Sequence, residues 1–260
     1  MSESNYKNKL TAEILENTEI STGIYKMIVP AISIAKNATA GQFVNLYCKD
    51  GSRLLPRPIS ICEIDKESGH LVFVYAVVGK GTEEFSNMKA GDSIELLGPL
   101  GNGFNIDNNI KEHILVGGGV GIPPLLELCK NLEGNKKVYL GFSTGNYLIE
   151  EFEKYGAEVF IATDDGSFGK KGTVVDLLEE QNVNGQMIYT CGPKPMLKAV
   201  TNFAKKNNIS AQVSLEERMA CGIGTCVGCV VRIKRDDSWE YKKVCIDGPV
   251  FLSEEVLWDE

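Results

Sequence analysis

Four of the eight cysteines crowd into one short stretch near the C-terminus. Cys221, Cys226 and Cys229 follow the pattern C-x4-C-x2-C, and Cys245 comes after a gap of 15 residues. This is the spacing with which plant-type proteins hold a [2Fe–2S] cluster through four thiolates. Glycines at positions 222, 224 and 228 allow the loop to fold tightly and to aim backbone N–H groups at sulfur atoms. The four cysteines are therefore predicted to be the ligands of such a cluster.

A zinc site is the main alternative, together with thiols that bind no metal. A zinc ribbon pairs two C-x2-C knuckles, whereas here only Cys226 and Cys229 form one. Residues 230–244 alternate between polar and apolar and predict a hairpin, turning at residues 236–238, that returns Cys245 to the loop. The other cysteines stand among apolar neighbours, as is typical of small buried side chains; they are Cys48, Cys62, Cys129 and Cys191.

In the segment that precedes the cysteine loop, strand-like and helix-like patterns alternate. This alternation predicts βαβ units, a Rossmann-like parallel sheet and a ligand crevice at the carboxyl ends of its strands. The expected strands are His113–Val116, Lys137–Phe142, Glu158–Thr163, Gln186–Thr190 and Ala211–Leu215. The expected helices are Pro124–Leu132, Leu148–Tyr155, Val174–Gln181 and Pro195–Asn207.

A glycine-rich turn joins the first of these strands to the first helix. Gly117, Gly118, Gly119 and Gly121 precede Pro124 in the pattern G-x-G-x-x-P. Such a turn lets the backbone approach a pyrophosphate, which then lies at the helix N-terminus, and proline suits the first helical turn. The turn thus predicts a dinucleotide site, with a plain tight turn as the alternative.

Two further strand ends bear on the identity of this nucleotide. Residues 143–146, after the second strand, supply neither a carboxylate for a ribose nor a cation for a 2′-phosphate, and we expect NADH rather than NADPH. The fourth strand ends in Cys191, Gly192 and Pro193, which we expect at the edge of the same crevice. Cys191 could lie near the nicotinamide or simply be buried.

The N-terminal part, residues 11–104, shows no convincing helical periodicity and predicts an antiparallel β-barrel. It contains Arg57-Pro58-Ile59-Ser60, and Gly79-Lys80-Gly81-Thr82 opens a short helix-like segment. Taken alone, the first tetrapeptide is typical of an edge strand and the second of a capped turn. The β-prone runs are Ile24–Val29, Phe43–Tyr47, Ile59–Cys62, Leu71–Val78 and Ser93–Leu97.

Composition narrows the class of protein. The 260-residue chain is 43% hydrophobic and 24% charged, as expected of an ordinary globular protein. Its formal net charge of −8 makes binding to the phosphates of nucleic acid unfavourable. We see no apolar run long enough to span a bilayer and no secretion signal at residues 1–10, so the expected location is the cytoplasm.

The order of the motifs resembles the ferredoxin–NADP reductase superfamily. Within it, the chain is similar over essentially its whole length to the electron-transfer subunits of NAD-dependent dihydroorotate dehydrogenase, the PyrK family. The most specific segments are residues 216–219, which lead into the cysteines, and residues 244–251, which close them. The motifs are RPIS at 57–60, GKGT at 79–82, LGPLGNGF at 97–104, GGGVGIPP at 117–124 and CGPKPML at 191–197.

The resemblance implies an FAD site on the barrel. The arginine and serine of the RPxS stretch bind the flavin in the family, and a second strand and a GxGT turn complete its site. The chain departs from the family at Ala76, where relatives often carry an arginine that meets the flavin pyrophosphate; Lys80 is a candidate substitute. The implied FAD residues are Arg57, Pro58, Ile59, Ser60, Val74, Tyr75, Ala76, Gly81 and Thr82.

The resemblance also implies three units: an FAD-binding barrel at residues 1–105, an NAD-binding α/β domain at 106–212 and a [2Fe–2S] module at 213–260. Electrons would pass between NAD(H), FAD and the cluster, and then to the FMN of a separate catalytic subunit in a heterotetramer with two copies of each chain. Ile223, Val227 and Phe251 could dock that partner or belong to a local core. We assign no catalytic acid or base, because no nucleophile–base pair is evident.

Two other functions stay open at this point. A ferredoxin:NAD(P) oxidoreductase, or a subunit of a hydrogenase or sulfide dehydrogenase, would use the same three modules. A related bifurcating subunit carries aspartate in place of the first cysteine, which Cys221 argues against. The other alternative is a non-catalytic, zinc-stapled nucleotide-binding module.

Overall fold

A curled antiparallel sheet forms the N-terminal half of the computed structural model, which describes residues 7–143 and 145–258. Residues 1–6 and 259–260 at the two ends lie outside the description, and so does Thr144 in the loop after the second predicted α/β strand. The seven strands are β1 (Asn8–Glu13), β2 (Glu16–Ser21), β3 (Ile24–Pro30), β4 (Phe43–Tyr47), β5 (Arg57–Asp65), β6 (His70–Ala76) and β7 (Ser93–Leu100).

The strands follow the order β1-β7-β4-β5-β6-β3-β2, and every neighbouring pair is antiparallel. The two edge strands are consecutive in the chain and meet through the corner at Ile14 and Leu15, which gives the sheet its barrel shape. Two short helices, α1 (Ile32–Ala35) and α2 (Lys80–Ser86), cover its ends. The predicted barrel is thus confirmed, and α2 begins at the expected GKGT turn.

Alternation along the strands sorts barrel side chains into an inner and an outer set. On β4, Val44 and Leu46 belong to the barrel core, whereas Phe43 packs with residues of the C-terminal module. On β6, Tyr75 points into the barrel core and Val74 packs against the α/β half. The outer face of β4, β5 and β6 therefore borders both other parts of the molecule.

The second half is a parallel sheet with helices on its faces, as predicted. Its strands are β8 (Glu112–Gly118), β9 (Asn135–Phe142), β10 (Ala157–Thr163), β11 (Lys170–Lys171), β12 (Met187–Cys191) and β13 (Ser210–Ser214). Its helices are α3 (Pro123–Asn131), α4 (Ile149–Lys154), α5 (Val174–Glu180) and α6 (Lys194–Lys206). The strand order β11-β10-β9-β8-β12-β13 brings the glycine turn after β8 next to the end of β12.

The C-terminal module consists of the cysteine loop and three strands, β14 (Val230–Arg235), β15 (Ser238–Lys243) and β16 (Val250–Leu252). β14 and β15 form the predicted hairpin, while β16 pairs antiparallel with β13 at the edge of the parallel sheet. β13 itself runs across the expected boundary between residues 212 and 213. The module is thus woven into the α/β sheet rather than appended to it.

Within the described residues, no helix combines the length and the apolar character needed to cross a membrane.

Candidate cofactor sites

The hairpin after the cysteine loop brings Cys245 beside Cys229. Cys229 immediately precedes β14, and the N–H of Val244 donates to the Cys229 carbonyl at 2.9 Å, which closes the ladder. Both of these cysteines are buried, whereas Cys221 and Cys226 in the loop are half-buried. The hairpin therefore brings Cys229 and Cys245 together at one end, and Cys221 and Cys226 lie in the loop before it. Among the described residues, no three of these side chains stand close enough together to form a metal site as they are.

The thiols are arranged as two pairs. Cys221 lies within hydrogen-bonding reach of the Cys226 side chain, and Cys245 within reach of Cys229. A two-iron cluster needs two thiolates on each iron, and this paired arrangement fits that need.

Backbone N–H groups surround the first pair. Burial acts to raise the pKa of Cys221, but hydrogen bonds from the N–H groups of Cys226, Ile223 and Thr225 outweigh it and lower the pKa to about 6. The N–H of Cys226 stands 3.4 Å from the Cys221 sulfur. The turn that aims these groups needs left-handed residues, which are supplied by Gly222 (φ 68°) and Gly224 (φ 85°). The loop is thus built to hold sulfur as an anion.

The predicted flavin residues lie at the start of β5 and at the turn before α2. The guanidinium of Arg57 lies so close over Gly81 that any side chain at position 81 would collide with it. A planar cation beside a glycine turn is a suitable site for a phosphate group, because both supply N–H donors. The residues present therefore fit the diphosphate of a dinucleotide cofactor.

Two of the predicted flavin side chains serve the scaffold instead. The Thr82 hydroxyl accepts from the N–H groups of Val78 and Gly79 and donates to the Gly79 carbonyl. All of these hydrogen bonds lie within the turn itself. The Tyr75 hydroxyl donates to Asn17 at 3.0 Å within the barrel core, and burial raises its pKa. Only the backbone of Tyr75 remains available to a ligand on the outer face.

Two of the remaining flavin candidates, Pro58 and Ser60, lie on the outer face of the barrel. Directly opposed residues of an antiparallel pair share one face of the sheet. Pro58 is opposite Asn45 and Ser60 is opposite Phe43, so all four share the face that borders the cysteine loop. Ile59 points the other way, against the barrel core. On β6, Ala76 ends the strand half-buried, and Lys80 in the following turn is exposed.

The two loops of the expected dinucleotide site, residues 117–121 and 191–193, lie side by side as the sequence predicts. Gly117 is opposite Cys191 in the β8–β12 ladder. A Cβ atom at Gly121 would collide with the backbone of Cys191 and Gly192, so glycine is needed at 121 because the loops pack on each other. A Cβ atom at Gly118 would meet the flexible Met196 side chain of α6 first, 2.6 Å from Sδ, and then Pro193 Cδ at 3.2 Å. At Gly119 (φ 51°) the space is open and the backbone conformation is the reason for glycine.

Cys191 is half-buried at this edge. Burial raises the pKa of its thiol to about 12, so it stays protonated and neutral. The Tyr147 hydroxyl donates to the Gly119 carbonyl at 2.7 Å and thereby holds the glycine turn. No motif in the sequence singles out Tyr147, because its hydrogen bond joins residues that are 28 positions apart in the chain.

A buried ionic contact joins α3, which follows the glycine turn, to β5, which carries the flavin candidates. Glu127 is only 4% exposed, and its carboxylate accepts from the Ile64 N–H at 2.8 Å and from Asn131 at 2.7 Å. Lys130 donates to the same carboxylate at 3.3 Å and to the Ile64 carbonyl at 2.7 Å. We call Glu127, Lys130, Asn131 and Ile64 the α3 latch. The sequence does not predict this contact, because Glu127 and Lys130 resemble the ordinary charged residues of a helix surface.

Comparisons with known proteins point to one family, both for the cysteine region and for the whole chain. Residues 216–257 match the family model described as the iron–sulfur cluster binding domain of dihydroorotate dehydrogenase B. The chain is 43% identical to the "Dihydroorotate dehydrogenase B (NAD(+)), electron transfer subunit" of Caldanaerobacter subterraneus, covering 96% of this chain and 99% of that one. The protein of the same name from Fusobacterium nucleatum is 42% identical, covering 93% and 95%.

Solved structures support the fold. A structure described as an NADH-dependent reduced ferredoxin–NADP oxidoreductase, studied for flavin-based electron bifurcation, superposes with a TM-score of 0.86 at 33% identity and covers 95% of this chain and 90% of that one. The cytochrome b5 reductase domain of Ulva prolifera nitrate reductase superposes with a TM-score of 0.65 at 18% identity, covering 78% and 94%. The second likeness concerns the fold alone.

Proposed function

Because the chain belongs to the family of dihydroorotate dehydrogenase B electron transfer subunits, we propose that it relays electrons between NAD+ and a catalytic partner subunit. The relay uses FAD on the barrel, a [2Fe–2S] cluster in the cysteine loop and NAD(H) at the glycine turn. The partner carries FMN and oxidises dihydroorotate in pyrimidine biosynthesis, and the complex contains two copies of each subunit. We place the complex in the cytoplasm, as the sequence predicts.

The flavin supplies the exchange between a hydride and single electrons, which neither the nicotinamide nor the cluster can make alone. The chain's own groups bind and orient. Arg57 and the turn at Gly81 hold the flavin diphosphate, and the outer face at Pro58 and Ser60 holds the ring system. The glycine turn at 117–121 and the edge at 191–193 hold the dinucleotide. No residue of the chain moves a proton in this proposal.

One observation carries the proposal: the four cysteines form two pairs, Cys221 with Cys226 and Cys229 with Cys245, and the loop that bears the first pair contacts the strand next to the flavin candidates. Asn45 on β4 touches the cysteine loop at Cys221 and is opposite Pro58 on β5. Electrons can thus leave the flavin face directly into the loop. This arrangement gives one chain both a group that accepts a hydride, the flavin, and a group that passes on single electrons, the cluster.

The exit side of the loop offers an apolar surface for the partner. Ile223 is 42% exposed and Val227 is 72% exposed, and both lie between the cysteines. Phe251, the third side chain expected near the loop, is only 8% exposed and belongs to the local core with Val244 and Cys245. We propose that Ile223 and Val227 contact the catalytic subunit.

The choice of NAD over NADP finds support in the loop after β10. Asp164 and Asp165 follow the strand directly, and the Asp164 N–H donates to the Phe142 carbonyl at the end of β9. Hydrogen bonds from the side chain and N–H of Ser167 lower the pKa of Asp165, so that it is ionised at neutral pH. Two carboxylates at this edge repel a 2′-phosphate.

A second candidate function is favoured by the structural likeness at a TM-score of 0.86 to the reduced ferredoxin–NADP oxidoreductase. In that case the electrons would come from ferredoxin rather than from dihydroorotate. The three modules would serve both functions equally, and only the partner would differ.

Co-purification of the chain from its native source tests the two functions. We expect the complex to contain FAD, FMN, iron and sulfide and to reduce NAD+ when dihydroorotate is added. A complex that reduces ferredoxin and shows no dihydroorotate-dependent reduction of NAD+ would contradict the proposal and support the second candidate. A colourless protein that contains zinc would contradict both.

A further inference from the structure

Asn45 is a fully buried polar residue at the junction between the barrel and the cysteine loop. Its exposed fraction is 0%, and its side-chain amide donates to the carbonyl of Cys221 at 3.1 Å. Its neighbours on β4, Val44 and Leu46, are apolar and point into the barrel. Asn45 is the polar exception in this strand, and it faces a cysteine of the loop.

Ordinary alternation along β4 directs Asn45 at the loop. In the regular ladder between β4 and β5, Asn45 is opposite Pro58 and lies on the face opposite to Val44 and Leu46, which point into the barrel. In the loop, Gly222 (φ 68°) lies so close that a Cβ atom there would collide with the Asn45 amide. The barrel and the loop therefore fit each other closely at this contact.

Asparagine makes a bond at this position that its apolar neighbours on the strand could not make. A valine or a leucine, as at positions 44 and 46, would leave the Cys221 carbonyl without this donor. One such hydrogen bond contributes about 0.5–1.5 kcal/mol. The amide therefore links the barrel to the loop at Cys221.

A second asparagine of the barrel half holds the other cysteine segment. Asn102 donates from its side chain to the carbonyls of Ile246 and Asp247 at 3.0 and 3.1 Å, directly after Cys245. Its backbone N–H donates to the Gly248 carbonyl at 2.6 Å. Asn45 thus holds the first thiol pair and Asn102 the second. We call these two residues the asparagine clasp.

We propose that the asparagine clasp positions the cluster on the flavin barrel and thereby sets the efficiency of the electron step between them. Asn45 and Asn102 are positioning residues: they bond to carbonyl groups next to the cysteines and touch neither sulfur nor flavin by way of these bonds. Both donors are uncharged, so they hold the loop without adding net charge beside a redox group. This inference rests on the proposed function.

The test uses the full-length chain loaded with FAD and cluster, in the unaltered form and as Asn45→Leu. Leucine keeps the approximate size and removes the bond to Cys221. Gln212→Leu is the matched control, since it removes a buried side-chain amide that bonds to Asn105 at 2.7 and 2.9 Å and holds no cysteine segment. Each protein is mixed with NADH, and flavin bleaching and cluster reduction are followed separately by rapid-scan absorbance and freeze-quench EPR.

We expect Asn45→Leu to bleach its flavin at the unaltered rate and to reduce its cluster about fivefold more slowly, because the loop is no longer held on the barrel; this change corresponds to ~1 kcal/mol in the activation free energy. The g values of its reduced cluster should shift, because the backbone at Cys221 is no longer held. Gln212→Leu should keep the unaltered g values and both rates. Asn102→Ala, at an exposed position, should slow the same step and decides the matter if Asn45→Leu does not fold.

Unaltered g values and an unaltered rate of cluster reduction in Asn45→Leu, or in Asn102→Ala where that variant decides, would overturn the inference. So would an equal slowing in Gln212→Leu. These results leave the proposed function standing. An unaltered chain that takes up neither FAD nor iron overturns the proposed function and this inference together.

Discussion

The flavin barrel is joined to its two neighbours in different ways. Towards the nucleotide half, the α3 latch uses a buried carboxylate, an ammonium group and the backbone of Ile64. Towards the cysteine loop, the asparagine clasp uses neutral amides that bond to carbonyl groups. The same barrel thus makes a charged junction on one side and an uncharged junction on the other.

The two junctions serve steps with different geometric demands. A hydride passes between atoms that must approach to about 3–3.5 Å, so the nucleotide turn and the flavin strand need a stiff connection. A buried carboxylate with several donors supplies it, because such a group is costly to displace. A cluster changes charge as it works, and a fixed net charge beside it would shift its potential. Neutral donors hold the loop without that effect.

The largest expected effect distinguishes electron delivery through the cluster from NADH oxidation at the flavin. Cys226→Ala removes one cluster ligand, and we expect loss of electron delivery to the partner subunit with NADH oxidation by an artificial hydride acceptor retained. Cys129→Ala is the control, because this cysteine is buried in α3 away from the loop and should leave both activities intact. Equal loss of both activities in Cys226→Ala would mean that the cluster holds the whole fold together.

The next effect concerns the nucleotide side alone. Gly121→Ala places a methyl group against the backbone of Cys191 and Gly192, and overpacking of this kind costs about 3 kcal/mol. We expect weaker NADH binding and lower thermal stability, with an unchanged cluster EPR spectrum. Gly51→Ala is the control: neither glycine has a positive φ, but position 51 has open space around it, so this change should alter stability by less than about 0.5 kcal/mol. Equal effects in the two variants would show that contact between the nucleotide loops is unimportant.

Glu127→Gln tests the latch directly. It removes a buried charge that binds Lys130 and the Ile64 N–H, and we expect a loss of about 2 kcal/mol in the free energy of unfolding, together with slower flavin reduction by NADH. The g values of the cluster should not move. Glu133→Gln breaks an exposed pair with Lys111 and should cost less than ~0.5 kcal/mol. If Glu127→Gln alters the cluster signal but not flavin reduction, the proposed division between the junctions is wrong.

The smallest effect is one of pH. Burial lowers the pKa of His113, whose Nε2–H donates to the Glu133 carbonyl at 2.9 Å just beyond α3. Because the folded pKa lies below the unfolded value of about 6.5, this group gives its full stability above that value and loses it as the pH falls towards the folded pKa. Acidification below about pH 6.5 should therefore lower the protection factors of the amides around α3 and β8, that is, raise their exchange rates relative to the intrinsic rates at the same pH. His113→Gln should remove this loss of protection, and an equal loss in the variant would exclude His113 as its source.

Much of the fold could be predicted because periodic patterns decide it. The five expected parallel strands and the four helices of the α/β half lie within a few residues of their expected bounds, since a strand buried on both sides requires an apolar run. The sixth parallel strand, β11, was missed because two residues carry no pattern. β1 and β2 were missed: their side chains are mostly polar and partly exposed, and only pairing with β7 and β3 makes them strands. β16 was missed because three residues carry no usable period.

The roles of single side chains were harder to predict than the elements that bear them. The sequence places Tyr75 and Thr82 in the flavin site, but the structure commits the Tyr75 hydroxyl to Asn17 and the Thr82 hydroxyl to its own turn. A motif shows which backbone comes near a ligand; whether a side chain faces the ligand or the core depends on the pleat and on neighbours that are distant in sequence.

What the sequence determined by itself is the chemistry: four thiols at the spacing of a two-iron cluster, a glycine turn between strand and helix, and the order of the modules. These are local features, written in residue type and short-range spacing. Tertiary structure alone decided that Glu127 would be buried against Ile64, that Asn45 would meet Cys221, and that Gly121 would press on Cys191. Each of these contacts joins residues far apart in the chain, and only the packed fold brings them within reach of a hydrogen bond or a collision.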